Sequence, residues 1–144
     1  MTERTSTFIV TEACQLKCRY CYLIGKNNVH KMSYDIAKRA VDFILLEKSF
    51  QRADKAVFDF IGGEPLLEIE LIGSIMDYLI TSMTAIGHKW LDNYEIRITT
   101  NGLLYNSLPV QQFIQHYKEH LSISISIDGN REKNDKNRIF YNGN

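Results

Sequence analysis

Four strand-length segments, each followed by polar punctuation and the first three then by residues at helical spacing, divide the chain. Residues 5–11 alternate, with Phe8 and Val10 on one face and Thr7 and Ile9 on the other, and predict a first strand. The segment from Tyr22 to Lys31, holding Gly25, Asn27 and Asn28, has no period and reads as loop. Ser33 is a good N-cap for a helix reaching about Phe50, with Ile36, Ala40, Phe43 and Ile44 inward and Lys38, Arg39 and Asp42 outward. The apolar run Ala56–Ile61 predicts a second strand, and Leu66, Leu67, Leu71, Ile75, Leu79 and Met83 a second helix ending near Gly87. Tyr94–Thr100 alternates strictly, a third helix starts near Pro109 with Phe113, Ile114 and Tyr117 inward, and residues 121–127 alternate again before Asp128-Gly129.

The order β-α-β-α-β-α-β implies right-handed crossovers and a parallel sheet of an α/β protein. Ligands collect at the carboxyl ends of such strands. The polar motifs fall there: the cysteines after the first strand, Gly62-Gly63-Glu64-Pro65 after the second, Thr99-Thr100-Asn101-Gly102 after the third, and Ser126-Ile127-Asp128-Gly129 at the fourth. Together they predict one composite site.

Cys14, Cys18 and Cys21 place three thiols within eight residues. Soft thiolates favour zinc, cuprous copper or an iron–sulfur cluster, and a run this short surrounds one centre. Structural zinc takes four protein ligands, whereas a cubane on three cysteines keeps one iron open. Zinc completed by His30 or another histidine stays a competitor, although His30, His88, His116 and His120 fall in loops or on helix patterns where packing or surface roles are commoner. A disulfide across so short a loop would be strained.

Gly62 and Gly63 let backbone turn and approach a ligand closely, Glu64 offers a carboxylate to a cation, and Pro65 fixes the exit. The competing reading is a plain strand-to-helix turn with a glutamate favoured by the helix dipole. Ser124, Ser126 and Asp128 share one face of the fourth strand, opposite Ile123, Ile125 and Ile127, and buried hydroxyls there would need polar partners.

With 144 residues, formal net charge +0 and no repeat, the chain reads as one globular unit with no electrostatic case for nucleic acid or an anionic membrane. Neither a signal peptide nor a spanning helix is expected. Clustered cysteines in a reducing compartment serve metals more often than disulfides, which places the protein in the cytoplasm.

The CxxxCxxC spacing with Tyr20 before the third cysteine resembles the signature of the radical S-adenosylmethionine (radical SAM) superfamily, and GGEP one β-α unit later resembles the family's cofactor-gripping motif. The resemblance implies that the chain is the first four βα units of a partial (β/α)6 barrel. It also implies that Cys14, Cys18 and Cys21 hold a [4Fe-4S] cluster whose open iron binds S-adenosylmethionine, which is cleaved to a 5′-deoxyadenosyl radical. It assigns Gly62, Gly63, Glu64 and Pro65 to the methionyl amino group, and Ser126, with Ser124 a lesser candidate, to the ribose or carboxylate. Tyr20, Asn101, Asp128 and Arg138 join this cofactor set. The stretch to Arg138 is similar to a family loop ending His-Asp-x-x-Arg, with Asn134 in place of the histidine.

GGEP, TTNG and SIDG together look most like the branch with SPASM-type auxiliary domains, which modifies peptides or proteins. That implies a peptide or protein substrate and an electron donor such as flavodoxin or ferredoxin. Residues 1–144 are expected to be a core that stops before the last barrel strands and any auxiliary-cluster domain, so that a second chain could complete it. A non-enzymatic metal-binding module and an inactive fragment are the alternatives.

Overall fold

A computed structural model describes residues 2–23 and 30–141. Gly25, Asn27 and Asn28, in the expected loop, and Asn142 to Asn144 lie outside the described residues. Four strands, β1 (Glu3–Thr11), β2 (Lys55–Gly62), β3 (Tyr94–Thr100) and β4 (Leu121–Ile125), form one sheet in the order β1-β2-β3-β4, every pair parallel. Between them run α1 (Tyr34–Leu46), α2 (Ile69–Ile86) and α3 (Leu108–Tyr117), and a short α4 (Arg131–Asn137) follows β4. The expected α/β alternation is the observed one.

The sheet's two faces differ. Phe8 and Val10 of β1, Phe58 and Phe60 of β2, and Ile96 and Ile98 of β3 are buried with the inner faces of the helices in one core. Trp90, fully buried, anchors the turn before β3 by donating its indole N–H to the Ala53 carbonyl at 3.0 Å. The opposite face carries Ile9, 54% exposed, and the charged group Glu3, Lys55, Glu95 and Arg97. A parallel sheet normally has both faces covered, so this face has the character of a barrel interior opened along one side.

Three details depart from the sequence pattern. Helix α1 is capped by Ser33, whose hydroxyl accepts from the Ile36 N–H at 3.3 Å, but it ends at Leu46, and Phe50 belongs to a separate 3₁₀ turn. Its buried positions are Ala37, Val41, Ile44 and Leu45, while Ile36 and Phe43 are exposed. Strand β4 ends at Ile125, leaving Ser126 to Asp128 as an extended exit, with Ile127 exposed. By length and composition alone, Pro65–Ile86 is apolar enough to cross a membrane, a test that a buried core helix also passes. Ile69, Ile72, Ile75, Met76, Leu79 and Met83 of α2 are buried against the sheet, the arrangement of a core helix.

The charged group on the open face makes stability sensitive to acid. Hydrogen bonds from Arg97, then from Lys55, hold the Glu95 carboxyl below its ordinary value. A lowered carboxylate pKa stabilises the fold above the unfolded-state value, and that contribution disappears as pH falls through the folded-state value. Urea midpoints of wild type and Glu95→Gln should therefore differ at pH 7 and converge below the ordinary glutamate range.

Candidate cofactor site

At the carboxyl ends of the strands lies a cleft of ≈ 300 Å³, lined by the three cysteines, Leu16, Tyr20, Tyr22, Ile61, Gly62, Gly63, Thr99, Thr100, Asn101, Ser126 and Arg138. None of the three half-buried thiols is in a disulfide. The loop that carries them is positioned from three sides, and each side has a legible local cause.

The first support is β2. Gly63 N–H donates to the Thr11 carbonyl and Glu64 N–H to the Ala13 carbonyl, both at 2.8 Å, continuing the β1–β2 pairing into the cysteine loop. A Cβ on Gly63 would stand 2.2 Å from the Ala13 carbonyl oxygen and 2.5 Å from that of Glu12, and one on Gly62 2.2 Å from that of Thr11. The glycines are thus required by backbone packed on backbone. Gly63→Ala should force the start of the loop outward, costing about 2–3 kcal/mol in urea unfolding followed by Trp90 fluorescence.

The second support is β3. Glu64, 1% exposed, accepts from the Thr100 hydroxyl at 2.6 Å and the Leu66 N–H at 3.0 Å through Oε1, and from the Asn101 N–H at 2.8 Å through Oε2. Thr100 Oγ1 in turn accepts from the Gly102 N–H at 3.0 Å. Glu64 and buried Pro65 do not line the cleft; Glu64 ties the ends of β2 and β3 together. Asn101 reaches the loop itself: Nδ2 lies 3.3 Å from Gln15 Oε1 and 3.8 Å from Cys14 Sγ, while Oδ1 accepts from the Leu103 N–H. Leu16 N–H also donates to Cys14 Sγ at 3.4 Å. Donors aimed at a sulfur favour its thiolate, the form that binds metal.

The third support is the segment after α4. Lys17 N–H donates to the Ile139 carbonyl at 2.7 Å, Arg19 N–H to that of Asn137 at 3.0 Å, and Tyr141 N–H to that of Gln15 at 3.0 Å. Beside this pairing, Asp128 accepts from the Tyr20 hydroxyl at 2.6–2.7 Å and from Arg138 at 3.0 Å. Desolvation, then the hydrogen bond to Asp128, pushes the Tyr20 phenol up to about 12, and the Tyr20 hydroxyl, then Arg138, holds the Asp128 carboxyl low. Asn134 has a place of its own, its Oδ1 accepting the Asp128 N–H at 3.2 Å.

Of the residues expected from sequence, Cys14, Cys18, Cys21, Tyr20, Gly62, Gly63, Asn101, Ser126 and Arg138 come together on the cleft wall. Glu64, Pro65, Ser124 and Asp128 do not; Ser124 is exposed on the open face of β4. Leu16, Tyr22, Ile61, Thr99 and Thr100 are additions, and the paired threonines ahead of Asn101 were the visible signal for two of them. None of the four histidines lines the cleft. His88 Nδ1 accepts from the Trp90 N–H, His120 stacks on Tyr94, His116 packs edge-on to Tyr117, and His30 faces Glu12 at the surface. Among the described residues, no three His, Cys, Asp or Glu side chains converge to hold a single ion. The donor set, three thiols around one cleft with N–H groups aimed at a sulfur and a glycine-lined wall, fits a cluster with an open position for a ligand better than closed four-ligand zinc.

Fold and site together define an α/β cofactor-binding core whose cysteine loop sits at the carboxyl ends of a parallel sheet. The chain belongs to the Radical SAM superfamily, whose family model matches residues 8–143. It is 36% identical over 135 residues to an uncharacterized protein of Methanocaldococcus jannaschii, covering 93% of this chain and 41% of that protein. It is 28% identical over 137 residues to a cysteine-type anaerobic sulfatase-maturating enzyme of Clostridium novyi, covering 90% of this chain and 33% of that one. Among solved structures it resembles anSMEcpe with bound AdoMet (TM-score 0.75, 23% identity) over 98% of this chain and 36% of that one. The same protein with AdoMet and a Cp18Cys peptide matches at TM-score 0.70 and 23% identity, over 98% and 35%. The chain thus spans well under half the length of these relatives. The family uses a [4Fe-4S] cluster and S-adenosylmethionine.

Proposed function

We propose that this chain is the cluster-bearing core of a radical S-adenosylmethionine enzyme acting on a peptide or protein. The observation that carries the reading is the single cleft in which all three cysteines meet Gly62, Gly63, Ser126 and Arg138. Cys14, Cys18 and Cys21 would hold the [4Fe-4S] cluster, with one iron left for the cofactor's amino and carboxylate groups. The chemistry supplied once both are bound is one-electron cleavage of the sulfonium, giving methionine and a 5′-deoxyadenosyl radical that takes hydrogen from the substrate.

The residues of the chain bind and orient. Asn101 and the Leu16 N–H stabilise charge on the Cys14 sulfur. Gly62 and Gly63 let the end of β2 pack directly on the backbone that opens the cysteine loop, which sets the cleft wall beside the thiols. Arg138, its charge shared with Asp128, retains guanidinium donors for an anionic group at the cleft. Tyr20 and Tyr22 add aromatic surface at its mouth. A peptide substrate is supported by the peptide-bound relative. A flavodoxin or ferredoxin as reductant and a cytoplasmic setting belong to the same proposal. So does further polypeptide, in this chain or another, covering the open sheet face beside β4.

The test is anaerobic reconstitution with iron and sulfide, then electron paramagnetic resonance of the dithionite-reduced protein with and without S-adenosylmethionine. A cubane signal that changes on adding the cofactor is expected. Absence of a cluster, or a signal indifferent to the cofactor, overturns the reading.

A further inference from the structure

Tyr20 sits in the turn between Cys18 and Cys21, a turn closed by a single backbone bond from Cys21 N–H to the Cys18 carbonyl at 3.2 Å. Its hydroxyl spans 108 positions of sequence to reach both carboxylate oxygens of Asp128. Asp128 receives Arg138 through Nε and a terminal nitrogen, both 3.0 Å from Oδ1, and the guanidinium lies 5.6 Å from the Tyr20 ring centroid. Arg138 is flanked by Asn137 and Ile139, whose carbonyls accept the Arg19 and Lys17 N–H groups. The cluster therefore stands where three separate pieces of backbone meet: the cysteine loop, the exit of β4, and the segment after α4. Arg138 and Asp128 side chains are 14% and 18% exposed, which protects their pairing from water.

We propose that Tyr20, Asp128 and Arg138 form a clasp that closes residues 137–141 over the cysteine loop, making Tyr20 and Asp128 positioning residues for the Cys18 and Cys21 thiols. The inference rests on the reading of those cysteines as cluster ligands. Besides its own backbone bond and the Arg19 pairing, the turn has no deeply buried side chain to fix it: Cys18 and Cys21 are only half-buried, and Tyr20 and Tyr22 are exposed. The Tyr20 hydroxyl, bonded to an Asp128 carboxylate that Arg138 holds at low exposure, therefore supplies order that local packing does not. The tail pairing follows from the same bond, because holding Arg138 brings the carbonyls on either side of it into register with Lys17 and Arg19. Loading of the thiols and closure of the tail are thus coupled: each fixes the turn that the other needs.

The test separates the two parts. Amide hydrogen exchange is measured in the metal-free protein for wild type, Tyr20→Phe, Asp128→Asn and the double variant. Tyr20→Phe keeps the ring beside Arg138 and removes only the donor. Exchange at Lys17, Arg19 and Tyr141 should quicken about tenfold in each single variant, with Phe58 and Ile98 unchanged. The double variant should be little worse than either single one, because the residues act as one unit. In reconstituted protein the same variants should lose iron to a chelator about tenfold faster at an unchanged melting temperature.

Wild-type exchange at the three amides in both single variants overturns the clasp. Faster exchange with wild-type iron release overturns the positioning of the thiols. A wild-type chain that takes up no cluster defeats the functional reading, while the exchange measurement, made without metal, still decides the clasp.

Discussion

Cys18→Ala, reconstituted anaerobically, should retain less than a tenth of the iron bound by the wild-type chain and show no cubane resonance. Cys14→Ala and Cys21→Ala should behave alike. The three thiols are the only cysteines in the sequence, and a cluster that loses one of three protein thiolates has no spare soft ligand on the cleft wall. The metal-free variants should unfold near the wild-type urea midpoint, because the half-buried thiols lie outside the hydrophobic core. His30→Ala is the matching control and should keep its iron, since His30 stands at the surface beside Glu12. Loss of metal from His30→Ala with the cluster spectrum absent throughout would move the site to zinc.

The second large effect is expected at Glu64, and it falls on stability before chemistry. Glu64→Ala strands the Thr100 hydroxyl and the Leu66 and Asn101 amides, which all donate to its carboxylate from buried or part-buried positions. Hydrogen bonds to a charged group contribute about 1.5–3 kcal/mol each, and buried donors left unpaired add their desolvation cost. Allowing for non-additivity among neighbours, a loss of about 3 kcal/mol is expected, or roughly 10 °C in Tm for a chain of this size. Calorimetry of the metal-free protein measures it. Glu64→Gln keeps one oxygen acceptor and should lose about half as much. A Glu64→Ala chain as stable as wild type would show that the carboxylate serves a ligand and not the framework.

Both expectations follow from one feature of the architecture. The cysteine loop is too short and too polar to fold by burying its own surface, with Leu16 its one deeply buried apolar side chain. Its shape is imposed by neighbours: the glycine edge of β2, the Asn101 amide after β3, and the paired segment after α4. The three contributors lie far apart in sequence, so a disturbance in any of them reaches the thiols. The Gly63 and Asp128 substitutions test two of these supports and the Glu64 substitution the third.

Much of this was decided by the sequence alone. Strand and helix periodicity placed the four strands within a few residues, because alternation and helical spacing are properties of single segments that burial on one face enforces. The cysteine spacing pointed to a candidate donor set, since three thiols so close together have few other uses, and chain order put every polar motif at the same end of the sheet. Other features only the tertiary structure could decide. The sequence of helix α1 predicts Ile36, Ala40, Phe43 and Ile44 inward; periodicity also permits Ala37, Val41, Ile44 and Leu45, and packing on α2 and in the common core selects the second set, with Ile44 shared by both. Glu64 reads from sequence as a carboxylate free for a cation, and burial between β2 and β3 makes it a tie. Ser124 and Ser126 look equivalent in an alternating run; Ser126 stands at the carboxyl end of the sheet where the cleft lies, and Ser124, two residues earlier, is exposed and outside it. The pairing of Tyr20 with Asp128 spans 108 positions and has no local signal. Contacts at that range depend on how the whole chain packs, which no window of residues contains.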